Sequence, residues 1–282
     1  MRWSDGRRSD NIEDRRGMGV PMMAGGGIGT LILLLVALYF GVDPSVIFQN
    51  GGPSVSTSPA PSPSASVGND QLRDFVAVVL ADTEDTWRAL FRQMNREYQD
   101  PHLVLFTGAV QSACGTANAA VGPFYCPSDR KLYLDLSFFR DLRDRFGAPG
   151  DFAQAYVIAH EVGHHVQVLL GISDRVRAAQ QRAGRTETNA LSVRQELQAD
   201  CFAGVWAHHA QQTRHILEPG DVEEALRAAA AIGDDRLQRE TQGRVVPDSF
   251  THGTSAQRVR WFRTGLDAGE VKRCDTFSAP SL

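Results

Sequence analysis

The sequence predicts an α+β domain with a small β-sheet and packed helices, preceded by one transmembrane helix. Short apolar, β-prone runs at 103–110, 124–127 and 131–136 indicate the sheet, and helical periodicity dominates the second half of the chain. An uncharged apolar run near the amino end predicts the membrane helix. The 282 residues carry a formal net charge of -4, which argues against a nucleic-acid partner because phosphate binding favours a basic surface.

The residues before the domain divide into three segments. Residues 1–21 are rich in arginine and predict a cytoplasmic segment, because basic residues flanking an apolar helix tend to stay in the cytoplasm. Residues 22–42 carry no charge and are long enough to cross a bilayer as a helix. A cleaved signal peptide is the alternative, although the residues after the apolar run match a cleavage site poorly. The Ser/Pro-rich residues 43–69 predict a disordered linker to a domain over 70–282.

Several helices are predicted within this domain. Their ranges are 70–99, 138–146, 152–170, 193–211 and 255–267. Ser192 and Thr254 each precede a Gln three residues later, which predicts a capped helix start at both places. The helix at 152–170 is apolar nearly all round, which is typical of a helix buried in the core.

The buried helix carries the motif His160-Glu161-Val162-Gly163-His164. Two histidines four residues apart share one face of a helix, so both can bind one Zn²⁺ ion. Glu161 can then act as the general base toward metal-bound water, which is the chemistry of zinc proteases with this spacing. The alternative is a pair of structural histidines, but two His and a Glu on an apolar helix need polar partners.

A catalytic zinc site normally has a third protein ligand. Gln167 and Leu170 stand where the pattern H-x-x-G-x-x-H would need Gly and His. We therefore expect Glu196 to be the third ligand and Asp200, one turn later, to accept the free N–H of a ligand histidine. Glu187 is the competing ligand, but it has no Asp four residues later and lies in a predicted loop. Small residues that would let this helix approach the first are Ala199, Ala203 and Gly204.

The two motifs together resemble a known family. The segments 160–165 and 196–204 are similar to those of neutral zinc metallopeptidases, a YpfJ-like membrane-anchored family, and the resemblance extends over nearly all of 70–282. It includes the segments 125–127, 133–136 and 252–258. The resemblance implies a zincin-like metallopeptidase domain of the gluzincin type with a Zn²⁺ cofactor. It also implies the ligands His160, His164 and Glu196, with Glu161 as the catalytic residue.

A late His…Arg element adds two candidates. Similar integral-membrane zinc peptidases carry such an element after the second motif, which suggests that His252 and Arg258 lie near the site and stabilise the oxyanion. The alternative is a histidine at a helix start and an arginine on a charged surface. His165, next to the second ligand, is expected to pack or to support the site.

The four cysteines predict disulfides. Four cysteines allow three pairings, and a domain outside the cytoplasmic membrane lies in an oxidising compartment. We predict the pairs Cys114–Cys126 and Cys201–Cys274, the second of which would tie the carboxyl-terminal tail to the helix of the third ligand. Four reduced, buried thiols are the alternative.

These observations predict a membrane-anchored zinc metallopeptidase with its catalytic domain outside the cytoplasm. It would hydrolyse peptide bonds of a peptide or protein substrate with a metal-activated water, as a metalloendopeptidase rather than an exopeptidase. The alternative is a non-catalytic zinc-binding envelope module that binds a partner protein, because fold does not imply function. Hydrolysis of another amide, such as a wall peptide, is a further hypothesis.

Overall fold

A computed structural model of the chain describes residues 1–17 and 63–282. These residues form the predicted α+β fold, with one long helix between the first two strands and the other helices after the sheets. The predicted transmembrane helix at 22–42, and most of the predicted linker at 43–69, lie outside the described residues. Within the described part of the chain, no helix has both the length and the apolar character needed to span a membrane.

Six strands of the described chain form a four-stranded sheet and a two-stranded ribbon. They are β1 (Ile12–Asp14), β2 (His102–Phe106), β3 (Ala109–Ser112), β4 (Gly115–Asn118), β5 (Phe124–Cys126) and β6 (Lys131–Asp135). The larger sheet has the order β1-β2-β6-β5, with β2 parallel to both neighbours and β5 antiparallel to β6. β2 is central and largely buried, as its continuous apolar run predicts, and β5 forms one edge.

The helices pack around the helix that carries the first motif. They are α1 (Pro63–Gln93), α2 (Phe138–Asp144), α3 (Asp151–Leu169), α4 (Ile172–Gln180), α5 (Arg185–Arg214), α6 (Asp221–Ala231), α7 (Asp234–Gln242) and α8 (Ser255–Ala268). Helix α3 is largely buried and contacts α1, α5 and α6, as its apolar sequence predicts. Thr254 forms the predicted capping box with Gln257 at the start of α8.

Helix α5 begins earlier than the sequence predicts. The expected start was Ser192, but this residue lies inside the helix, where its hydroxyl donates a hydrogen bond to the Thr188 carbonyl at 3.2 Å. A serine inside a helix can bond the carbonyl one turn back instead of capping a helix start, so the sequence pattern at Ser192 predicts the wrong start. Glu187, predicted to lie in a loop, is therefore in the first turn of α5.

Small residues bring α5 close to two helices. On α3, a Cβ atom added at Gly163 would lie 2.9 Å from the Ala199 carbonyl oxygen, so the two ligand-bearing helices approach here at backbone distance. Gly204 was expected to serve the same approach, but it contacts α8. A Cβ atom added at Gly204 would overlap the carbonyl oxygen of Phe262. The close approach of α5 to α3 therefore depends on Gly163 and Ala199.

Residues 1–17 form an amino-terminal arm that packs against the rest of the fold. Strand β1 of the arm extends the sheet by parallel pairing with β2. Arg7 Nη2 lies 2.7 Å from the carboxylate of Glu84, which is fully buried, and the Ser9 hydroxyl donates to the same carboxylate at 2.5 Å. A buried carboxylate needs such partners, so the arm stabilises the domain.

The packing of the arm bears on the predicted topology. A helix that crosses a bilayer once leaves the residues before and after it on opposite sides, roughly 30 Å apart. Strand β1 pairs directly with β2 of the domain, so the arm and the domain share one compartment in this fold. The cytoplasmic segment at 1–21 and the extracytoplasmic domain at 70–282 stay predictions, and the pairing of β1 with β2 favours one compartment for both.

Candidate metal centre

The structure brings the three expected ligands together. Helix α3 presents His160 and His164 one turn apart, and α5 presents Glu196, with one ligand atom of each lying within 4.8 Å of the others. His160 Nε2 lies 3.2 Å from Glu196 Oε2, and His164 Nε2 lies 3.4 Å from Glu196 Oε1. Glu187, the competing candidate, is exposed more than two turns away on α5 and is not part of this cluster.

This donor set fits Zn²⁺. Two imidazole nitrogens and one carboxylate oxygen leave a fourth position for water, as in catalytic zinc sites. Tetrahedral coordination at the usual bond lengths of about 2.0–2.1 Å separates neighbouring ligand atoms by roughly 3.3 Å. Each imidazole Nε2 lies at about this distance from one oxygen of Glu196, His160 at 3.2 Å from Oε2 and His164 at 3.4 Å from Oε1.

The electrostatics of the cluster favour a cation. Burial lowers the pKa of His160, but the charge and hydrogen bond of Asp200 and the hydrogen bond of Glu196 outweigh burial and raise it to about 10. Burial raises the pKa of Glu196, yet His164 and His160 hold it well below its usual range. The point where the three ligand atoms converge therefore favours positive charge, as a zinc site requires.

Asp200 holds His160 in the orientation that a metal ligand needs. The Nδ1–H group of His160 donates to Asp200 Oδ1 at 2.8 Å, which leaves Nε2 directed toward Glu196. The Tyr156 hydroxyl also donates to Asp200 Oδ1, at 2.5 Å. Tyr156 is a site residue not predicted from the sequence, although its position one turn before His160 on the same helix is a usable signal.

Arg258, which the sequence suggests as an oxyanion-stabilising residue, lies in this hydrogen-bond network. Its side chain is 2% exposed, and its Nε and Nη2 groups both donate to the Asp200 carboxylate at 2.8 Å. Its charge is therefore paired with a carboxylate that is itself fully buried. The structure makes Arg258 a partner of Asp200, so it acts on His160 through that carboxylate.

His252 lies in the loop before α8 and lines the same cleft as the ligands. Its side chain is half-exposed, and Nδ1 lies 3.1 Å from the carboxylate of Asp234. This hydrogen bond raises the pKa of His252 above its usual value, against the opposing effect of burial. The Asp234 carboxylate also accepts the backbone N–H groups of residues 251–253. Asp234 is a second site residue that is not predicted from the sequence.

Glu161 and a broad cleft complete the site. The cleft encloses about 700 Å³, and Glu161 lines it beside both histidine ligands. Among the described residues none hydrogen-bonds the Glu161 carboxylate, which is only partly buried. The lining of the cleft also includes the apolar residues Phe124, Phe138, Phe146 and Val157.

Both expected disulfides are present. Cys114 is bonded to Cys126 beside the two-stranded ribbon, and Cys201 on α5 is bonded to Cys274 in the tail.

His165, next to the ligand His164, is a buried packing residue. It is 1% exposed, its Nδ1 lies 3.1 Å from the Tyr125 hydroxyl, and burial lowers its pKa to about 4, so it is neutral at pH 7.

Comparison with known proteins agrees with this site. A sequence profile of the family described as "Putative neutral zinc metallopeptidase" matches residues 1–277. The chain is 54% identical over 287 residues to "Uncharacterized protein YpfJ" of Escherichia coli strain K12, covering 98% of this chain and 99% of that protein. It is 42% identical over 259 residues to "Uncharacterized protein Rv2575" of Mycobacterium tuberculosis strain H37Rv, covering 87% and 86%. No solved structure matches the chain.

The family match covers every part of the described fold that builds the site. It spans the amino-terminal arm, the helices α3 and α5 with the ligands, and the loop of His252. It therefore confirms the resemblance that the two motifs indicated. The chain belongs to the neutral zinc metallopeptidase family, whose cofactor is Zn²⁺.

Proposed function

We propose that this protein is a zinc-dependent endopeptidase that hydrolyses internal peptide bonds of a peptide or protein substrate. The observation that carries the proposal is the Glu161 carboxylate, which lines the cleft beside a His160–His164–Glu196 cluster without another described residue binding it. A structural zinc site uses four protein ligands and has no role for such a carboxylate. A hydrolytic site needs one within reach of the attacking water.

The edge strand supports internal cleavage. Phe124 and Tyr125 of β5 line the cleft, and β5 is an edge strand of its sheet. An edge strand can pair with an extended peptide through backbone hydrogen bonds. Such a peptide passes along the cleft without needing a chain end at the metal centre, as an endopeptidase requires.

The residues of the site have separate tasks in the reaction. His160, His164 and Glu196 hold the metal ion, which when bound polarises the scissile carbonyl and makes water a better acid. Glu161 accepts the proton of the attacking water and delivers it to the leaving amine. His252, whose pKa is raised by its hydrogen bond to Asp234, donates a hydrogen bond to the oxyanion that develops on the former carbonyl oxygen.

Hydrolysis of an unfolded protein substrate tests this proposal. The purified protein with bound zinc should cleave such a substrate, lose the activity with a chelator and regain it when zinc is restored. Zinc binding without cleavage of unfolded proteins or wall peptides would instead support the alternative, a non-catalytic zinc-binding envelope module.

In the Asp234→Asn variant, the loss of activity at alkaline pH should begin at a lower pH than in the wild type. The Asp234 hydrogen bond raises the pKa of His252, so the imidazolium persists to higher pH than that of a free histidine, and its contribution disappears above the raised pKa. An amide carries no charge, so His252 deprotonates at lower pH and the alkaline limb of kcat/KM moves down. Its oxygen can still accept the backbone N–H groups of the loop.

A pH profile of kcat/KM for the variant and the wild type checks this expectation. Asp235→Asn is the matched control, because the Asp235 carboxylate binds Ser255 and not His252. An alkaline limb that stays in place in Asp234→Asn, in a protein that still binds zinc, would exclude His252 as the cationic group.

Membrane attachment is a further part of the proposed function. The uncharged apolar run at 22–42 supports attachment to a membrane. Because the arm at 1–17 and the domain pack together, both flanks of this run should lie on the same side of the membrane. This arrangement replaces the single crossing that the sequence alone predicts.

Labelling of single introduced cysteines checks the arrangement. All four native cysteines are in disulfides, so Ser4→Cys in the arm and Ser281→Cys in the tail would each provide one free thiol. A membrane-impermeant maleimide applied to intact cells should give both positions the same reactivity, and lysed cells should label both fully. Reaction of one position and protection of the other would restore the single crossing.

A further inference from the structure

Two buried glutamines connect a metal ligand to the carboxyl-terminal tail. The Nδ1–H group of His164 donates to Gln167 Oε1 at 2.9 Å. Gln167 Nε2 donates to Gln198 Oε1 at 3.2 Å, and Gln198 Nε2 donates to the Cys274 carbonyl oxygen at 2.8 Å. The two side chains, which we call the glutamine relay, are 0% and 5% exposed. Neither has a role in the mechanism above.

Backbone carbonyls fix the direction of the relay. Gln167 Nε2 also donates to the Gln195 carbonyl oxygen at 2.7 Å, and a carbonyl can only accept. The amide nitrogen of Gln167 must therefore point there, which leaves Oε1 for His164. The Cys274 carbonyl orients Gln198 in the same way. His164 consequently carries its hydrogen on Nδ1 and keeps the Nε2 lone pair for a metal ion.

The relay orients the ring of His164 as Asp200 orients the ring of His160. Partners that hold the second ring nitrogen of a ligand histidine orient the ring, and they typically change metal affinity 10–100-fold. A free glutamine side chain has several rotatable bonds, so its oxygen holds a ring only if its nitrogen is also held. Gln198 and the Gln195 carbonyl supply that restraint for Gln167.

A disulfide lies at the outer end of the relay. Cys274, whose carbonyl accepts from Gln198, is bonded to Cys201, which follows Gln198 by one turn on α5. The same tail is also held one turn before Gln198 on α5, because the Thr276 hydroxyl donates to the Arg194 carbonyl at 2.7 Å. The carbonyl that ends the relay is thus attached to the helix that carries Glu196.

We propose that Gln167 and Gln198 are positioning residues for the metal ligand His164, and that the Cys201–Cys274 disulfide fixes the outer end of their relay. The disulfide then contributes to zinc affinity as well as to stability. This inference rests on the proposed zinc site, but it does not require that the protein cleaves peptides. It also explains why glutamine occupies position 167, where the rejected third-ligand pattern would have glycine.

Zinc affinity in relay variants tests the proposal. Gln167→Met and Gln198→Met keep the side-chain length but remove both amide groups, and each should raise the zinc dissociation constant about 10–100-fold in a chelator competition. The visible spectrum of the Co²⁺-substituted protein should shift in both variants, because the His164 ring changes its orientation. Since the two residues act in one chain, the double variant should be little weaker than Gln167→Met alone.

The disulfide is tested with a matched pair of double variants. Cys201→Ala with Cys274→Ala should weaken zinc binding and shift the cobalt spectrum, whereas Cys114→Ala with Cys126→Ala should do neither. Gln198→Ala is measured beside Gln198→Met, so that a folding failure in one leaves the other informative.

Three results would separate the possible failures. Native zinc affinity and a native cobalt spectrum in folded Gln198 variants would overturn the relay. Equal zinc affinity in the two disulfide variants would overturn the part played by Cys201–Cys274. A wild-type protein that binds no zinc would overturn the proposed metal site itself, independently of the relay.

Discussion

Glu161→Gln protein should bind zinc as tightly as the wild type and hydrolyse peptides roughly 10²–10⁴-fold more slowly. The carboxylate lies in the cleft beside the ligands, but it is not one of the three groups whose atoms converge. Glutamine has nearly the same size and can still accept a hydrogen bond from water. It cannot take a proton from that water, so the reaction loses its general base while the metal site stays intact.

Zinc content, zinc dissociation constant and kcat/KM of the variant are the measurements that decide this point. Glu187→Gln is the control, because this exposed residue on the first turn of α5 should change none of them. Glu196→Gln is the contrasting variant, since it should lose zinc and activity together. Turnover by Glu161→Gln at the wild-type rate would refute the mechanism, and loss of zinc would make Glu161 a structural residue.

The ligand cluster could be predicted from the sequence because its geometry is mostly local. His160 and His164 lie on one helix, and the pair Glu196 and Asp200 lies on another, so spacing alone puts each pair on one face. The packing of the two helices supplies the rest. Contacts between distant segments leave no such pattern. Arg258 reaches Asp200 across 58 positions of the chain, and nothing in the spacing of α8 indicates that contact.

The amino-terminal arm shows a different limit. Strand β1 contains one apolar residue, Ile12, so it lacks the alternation that predicts a half-buried strand. It also pairs with β2, which lies far away in sequence, and parallel pairing has no local turn signal. The arginines of the arm are typical of the flank of a membrane helix, whereas Arg7 binds the buried Glu84. The positive-inside rule counts every arginine near a membrane helix, including one that, like Arg7, makes a tertiary contact.

Arg258→Met should destabilise the fold by about 3–5 kcal/mol, because it leaves the Asp200 carboxylate buried without its cation. Burial raises the pKa of Asp200, and Arg258 is the main group that lowers it again, followed by His160. For a domain of this size, that loss corresponds to a fall in Tm of roughly 6–20 °C. Asp200 would then orient His160 less well, so zinc affinity should fall in the same variant.

Thermal unfolding of the chelator-treated protein separates this structural role from the oxyanion role that the sequence suggested. Arg260→Met is the control, because Arg260 is exposed on the same helix and its loss should change Tm little. Arg258→Lys keeps the charge but loses the two-point contact with the carboxylate, so its Tm should fall between those of the wild type and Arg258→Met. An oxyanion donor would give the opposite pattern, with native Tm and zinc affinity and a reduced kcat. Because the side chain is 2% exposed and both nitrogens that reach Asp200 are already donating, we expect the first pattern.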